Sequence, residues 1–194
     1  MLELHLQSII DKMLKSVCVF SSSSDNVSSK FFEVADELGA KLAQKGFVLV
    51  HGGGKTGLMG ALARSVHANG GKVIGVIPEQ LRTHELAYEA ADELIVTKDM
   101  RERKTIMEKR ADIFVGLPGG FGTLEEILEI LTLKQLRFHD KPIVLINTNN
   151  FYDHLINLFE HIYEQQFAHP EHRKLYHIAS DINGAFSYIE AYSN

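Results

Sequence analysis

Short apolar runs alternate with longer helical patterns along almost the whole chain, and this alternation constrains the fold more than any other feature. The runs stand at Ser16–Phe20, Phe47–His51, Lys72–Ile77, Glu93–Thr97, Ile113–Leu117 and Pro142–Asn147. Each is too short for a helix and apolar on both faces, as a buried parallel strand is. A weaker run lies at Leu175–Ala179. Between them, apolar residues recur at helical spacing over Val27–Gln44, Leu58–Ala68, Met100–Arg110, Leu124–Leu136, Tyr152–Phe167 and Ile182–Tyr192. This order predicts an α/β fold: an open, doubly wound parallel sheet, Rossmann-like, with helices on both faces. No repeat, low-complexity tract or composition shift marks a linker, so residues 1–194 read as a single domain.

The first 14 residues carry a near-helical stripe of Leu2, Leu4, Leu6, Ile9, Ile10, Met13 and Leu14. Glu3, His5, Gln7, Asp11 and Lys12 interrupt it, where a signal peptide keeps an unbroken apolar core. The expectation is an amphipathic helix docked on the domain or on a second subunit. The single cysteine, Cys18, sits in an apolar run and reads as a buried, inert thiol in a reducing cytoplasm. Net charge is −5, which gives no reason to expect nucleic acid or a membrane surface as partner. No apolar run approaches the length of about 18 residues that a membrane span needs.

Open parallel sheets bind ligands at the carboxyl ends of their strands, so the residues just after strands carry the most information. Two glycine loops occupy such places. His51–Gly60 follows a strand and opens a helix, and Gly53 and Gly54 would let a ligand approach the backbone. Its spacing matches neither GxGxxG nor GxxxxGK[ST]. The second loop, Pro118-Gly119-Gly120-Phe121-Gly122-Thr123, is the stronger signal. Thr123 could cap the following helix, with Glu126 completing a capping box. A cap alone does not need three glycines, whereas a nucleotide phosphate held by backbone N–H groups and the Thr123 hydroxyl uses them all. A third segment places Arg103 and Lys104 near a helix start, where the macrodipole disfavours cations unless an anion meets them. By pattern alone, Glu85 is an ordinary surface carboxylate. The 10 histidines form no HExxH and no Cys/His framework, and no GxSxG elbow appears, so no metal is expected and a serine triad has no support.

Taken in order, these segments resemble the LONELY GUY family of cytokinin riboside 5′-monophosphate phosphoribohydrolases, long labelled "possible lysine decarboxylase". The family's GGGxxGLMG loop is matched at Gly52–Gly60, its GGxVIGVIP strand at Gly70–Pro78, its MxxRKxxM segment at Met100–Met107 and its PGGxGTxxE signature at Pro118–Glu126. Phe121 stands where Tyr is common, His51 where an aromatic is common and Leu133 where Trp is common. The resemblance implies hydrolysis of the N-glycosidic bond of an adenosine 5′-monophosphate, plain or N6-substituted, without a cofactor. It assigns Arg103 and Glu126 as the catalytic pair. It assigns Glu85, Lys104, Gly120, Phe121, Gly122, Thr123, Leu124, Glu125 and Thr132 to the substrate, and it implies a homodimer.

Two rival readings stand beside it. A lysine decarboxylase would need a lysine able to form a Schiff base with pyridoxal phosphate, and only Lys55 and Lys104 offer themselves. A non-catalytic nucleotide carrier would use the same glycine loops. The presence of Arg103 together with Glu126 favours the enzyme, since a phosphate binder has no need of a carboxylate beside its anion.

Overall fold

The structure, a computed structural model, describes residues 15–83 and 86–192. The helix expected over residues 1–14, and Glu85, lie outside these. Seven parallel strands form one sheet in the order β4-β3-β2-β1-β5-β6-β7. They are β1 Ser16–Phe20, β2 Val48–His51, β3 Lys72–Pro78, β4 Glu93–Thr97, β5 Ile113–Gly116, β6 Ile143–Ile146 and β7 His177–Ala179. The helices are α1 Ser29–Gln44, α2 Gly57–Ala68, α3 Met100–Arg110, α4 Phe121–Gln135, α5 Asp153–Glu164 and α6 Ile182–Tyr192. Short 3-10 turns stand at Glu79–Leu81, Thr148–Asn150 and Pro170–Leu175.

The predicted doubly wound architecture is present, and β1 shows why both strand faces had to be apolar. Val17 and Val19 join a core with Leu38, Leu42, Leu62 and Phe186, from α1, α2 and α6. Cys18 and Phe20 join a second core with Met107, Ile127, Ile130 and Phe159, from α3, α4 and α5. Alternate side chains of one strand thus supply two separate cores.

Helix ends follow local chemistry. Gly46, at φ 72°, closes α1 in a Schellman arrangement, with Phe47 N–H bonded to the Leu42 carbonyl at 3.0 Å. Helix α5 ends at Glu164 rather than at Phe167. Gln166 takes the left-handed conformation there (φ 62°), and Phe167 N–H bonds back to Ile162 O at 3.0 Å.

Strand β1 lies between β2 and β5, and the chain runs outward from it in both directions. A crevice therefore opens beyond the carboxyl ends of β1 and β5, at the switch point where such sheets bind ligands. The loops after β1, β2 and β5 all meet there.

Candidate active site

A cleft of about 560 Å³ occupies this crevice, within the usual range for small-molecule sites. Its polar wall is formed by Ser21–Ser24, Thr56 and Gly120–Thr123, and its apolar wall by Met59, Ile77, Leu81, Leu86 and Met100. Arg103, Glu125 and Glu126 complete the lining.

The two glycine loops do different work. In the first, the start of α2 already has protein partners: Gly57 N–H donates to Asp25 Oδ1 at 2.8 Å, and Met59 N–H to Ser22 O at 3.2 Å. Gly53 lies behind the cleft at φ 73°, its carbonyl accepting from Tyr88 N–H at 2.8 Å, while Gly54 lines the cleft. The informative glycine is Gly52, which the sequence reading did not single out. A Cβ there would stand 1.8 Å from Arg103 Nη2. Gly52 is the gap through which the guanidinium enters.

In the second loop, Gly119 is packed against Thr123, but a Cβ at Gly120 or Gly122 would meet nothing within 4 Å. Helix α4 starts at Phe121 with Gly120 as its N-cap and no side-chain cap. The capping box expected of Thr123 and Glu126 is therefore absent. Thr123 is the third helical residue, and the Glu126 carboxylate turns to Arg103 instead of to the backbone. The first backbone hydrogen bond of the helix is Leu124 N–H to Gly120 O at 3.0 Å. The N–H groups of Phe121, Gly122 and Thr123 thus have no partner among the described residues and stand at the positive end of the helix dipole, beside the cleft, where an anion is favoured.

Arg103 and Glu126 meet inside. Arg103 Nη1 donates to Glu126 Oε1 at 2.6 Å, and Arg103 Nε donates to the Val76 carbonyl at 3.1 Å. Their side chains are only 8% and 9% exposed. Burial lifts Glu126 above the ordinary carboxylate range, against the opposing pull of the Arg103 guanidinium. Cys18 is fully buried, and burial, with Glu126 adding to it, pushes the thiol well up, as expected for an inert group. Asp99 fixes the register of α3 by accepting from Arg101 and Glu102 N–H at 2.9 and 2.8 Å.

Other assigned residues are dispersed. Lys104 does not line the cleft; its ammonium bonds Glu125 and lies 3.0 Å from Glu129. Partial burial works against that charge, but the two carboxylates win and hold Lys104 above its ordinary value. Leu124 packs into the core beneath α4. Thr132 is exposed, bonds Leu128 O at 2.8 Å, and faces a groove between α4 and α5. Conversely, Ser21–Ser24, in the loop after β1, line the cleft. So do Ile77 at the end of β3 and Met100 at the start of α3. Their position after strands was the available signal.

A family model described as "Possible lysine decarboxylase" matches residues 59–189. A cytokinin riboside 5′-monophosphate phosphoribohydrolase of Arabidopsis thaliana is 39% identical, over 90% of this chain and 81% of its own length. A second from the same plant is 38% identical, over 95% of this chain and 81% of its own length. The chain belongs to this family. Among solved structures, the molybdenum cofactor carrier protein of Chlamydomonas reinhardtii shares the fold with a TM-score of 0.69 and 25% identity, over 92% of this chain and 97% of that one. The family's decarboxylase label finds no footing in the cleft: no lysine lines it among the described residues, so pyridoxal phosphate there would lack a Schiff-base partner.

Proposed function

We propose that this protein hydrolyses the N-glycosidic bond of adenosine 5′-monophosphate or an N6-substituted form, releasing the free base and ribose 5-phosphate. The observation that carries this reading is the buried Arg103–Glu126 pair, one helical turn beyond the uncapped start of α4. A 5′-phosphate on the free N–H groups of α4 sets the ribose beside Glu126. A water attacks C1′ as the C1′–N9 bond breaks, and the bonding electrons leave with the purine ring. Glu126 takes the water proton, solvent at the outer edge of the cleft gives one to the departing base, and the carboxylate lowers the energy of the cationic, oxocarbenium-like sugar. Arg103 keeps Glu126 oriented in its buried place. The apolar wall of Met59, Ile77, Leu81, Leu86 and Met100 receives the base.

The test is incubation with adenosine 5′-monophosphate and its N6-isopentenyl derivative, with free base followed by chromatography. Base release that falls about a hundredfold or more in Glu126→Gln supports the assignment. Tight nucleotide binding without turnover would instead favour a carrier, the role named for the Chlamydomonas neighbour. Comparing kcat/KM for the two nucleotides assigns the preferred substrate.

The reading extends to assembly and compartment. Leu128, Leu158 and Phe167, exposed on and beside α4 and α5, favour a homodimer through this face, with Thr132 in the shared surface. Light scattering should return twice the 21.8 kDa chain mass; a monomer at micromolar concentration would sink the idea. A single buried thiol suits a reducing cytoplasm.

A further inference from the structure

A second, much smaller cavity lies between α3 and α4, lined by Phe20, Lys104, Thr105, Glu108, Glu126, Glu129, Ile130 and Leu133. It shares one lining residue with the cleft, and that residue is Glu126. The carboxylate thus stands as the partition between the two. The smaller cavity has a volume of about 30 Å³, enough for one or two waters. Its walls supply the polar partners a buried water needs: Lys104, Thr105 and Glu108 from α3, and Glu129 from α4. Thr105 is exposed and Glu129 partly so, which gives the cavity a short way out to solvent. Within the protein, Glu126 Oε1 is taken by Arg103, and Oε2 has no donor among the described residues.

We propose that this cavity holds water against Glu126 and keeps its carboxyl hydrated and in proton exchange with solvent while a nucleotide fills the cleft. The proposal rests on the reading of Glu126 as the proton acceptor of hydrolysis. The proton taken from the attacking water must leave Glu126 before the next turnover, and the bound ribose covers the front of the carboxylate. Water in the rear cavity accepts it and passes it outward. No net proton is consumed, because solvent gives the departing base one proton and receives another from Glu126 through the rear water. The charged and titratable groups around the carboxyl are Arg103, Lys104 and Glu108 from α3, Glu125 and Glu129 on its own helix, and Cys18 beneath it on β1. Rear water favours the ionised carboxylate among them, so emptying the cavity of water makes Glu126 easier to protonate.

The test fills the cavity from two independent walls, with Leu133→Trp and Thr105→Leu, and measures kcat and KM from pH 4.5 to 9. Folding of each variant is checked by circular dichroism and Tm. The expected result is an acid limb of kcat moved upward by about one unit, hence a roughly tenfold lower kcat on that limb, with KM preserved. A folded variant whose acid limb keeps the parent's midpoint overturns the proposal, whatever the height of its plateau. If the parent protein releases no base at any pH, the failure belongs to the proposed function and not to the cavity.

Discussion

Arg103 is a long, charged side chain in a place that normally rejects one. It is tolerated because Glu126 neutralises it, Val76 accepts from its Nε, and Gly52 leaves room for its fork. Breaking such a buried pair is costly because the surviving charge is stranded. Gly52→Ala tests the third support without touching either charge. The added methyl would sit 1.8 Å from Nη2, so the guanidinium must move off. Gly52 is not among the glycines at positive φ, so alanine strains no backbone there. The expected outcome is a folded protein whose kcat falls about a hundredfold, the usual scale for displacing a catalytic group by an ångström. Unchanged kcat in the folded variant would show that the precise place of Arg103 does not matter.

At the level of elements, the switch-point crevice and the residues near it were legible from strand–loop–helix order alone. Strand positions were readable because parallel strands are apolar on both faces. The role of each glycine loop was not readable. Both begin helices after strands, and only the structure shows that α2 is already capped by Asp25 whereas α4 is open. Asp25 lies 32 positions before Gly57, and no local pattern reveals a partner so distant. Thr132 and Leu124 fail to line their own cleft for a related reason: a motif counts positions along a helix, whereas a cleft sees one face of it. The open start of α4 yields its own prediction. An aspartate at Gly122 finds free space and places a carboxylate against the helix dipole, stabilising the fold by about 0.3–1 kcal/mol. The same carboxylate occupies and repels the phosphate position. Gly122→Asp should therefore raise Tm slightly and raise KM for the monophosphate about tenfold or more. A KM equal to the parent's would remove the α4 start as the phosphate site.

Across the whole molecule, global stability is tied to a residue that does no chemistry. His51 ends β2 with no solvent exposure, its ring edge against Tyr88 and neither ring nitrogen hydrogen-bonded among the described residues. Burial first, and then the neighbouring Arg103 and His67, lower its pKa from 6.5 to about 3. The consequence has a definite sign. Below pH 6.5 the unfolded chain takes up a proton at this site, and the folded protein does not until about pH 3. Stability is therefore full above pH 6.5 and is lost as pH falls through that window, by on the order of 5 kcal/mol at its foot. His51→Phe removes both the titration and the buried unpaired nitrogens while keeping a planar ring. Its Tm at pH 7 should rise, consistent with about 1–3 kcal/mol for relieving an unsatisfied buried group. Its advantage over the parent should widen steadily as pH is lowered from 6.5 toward 3. Scanning calorimetry of both proteins across that range measures the difference directly, with the titration of the carboxylates common to both. Parallel curves of Tm against pH would mean that His51 is protonated in the folded state, and that a hydrogen-bond acceptor reaches its ring.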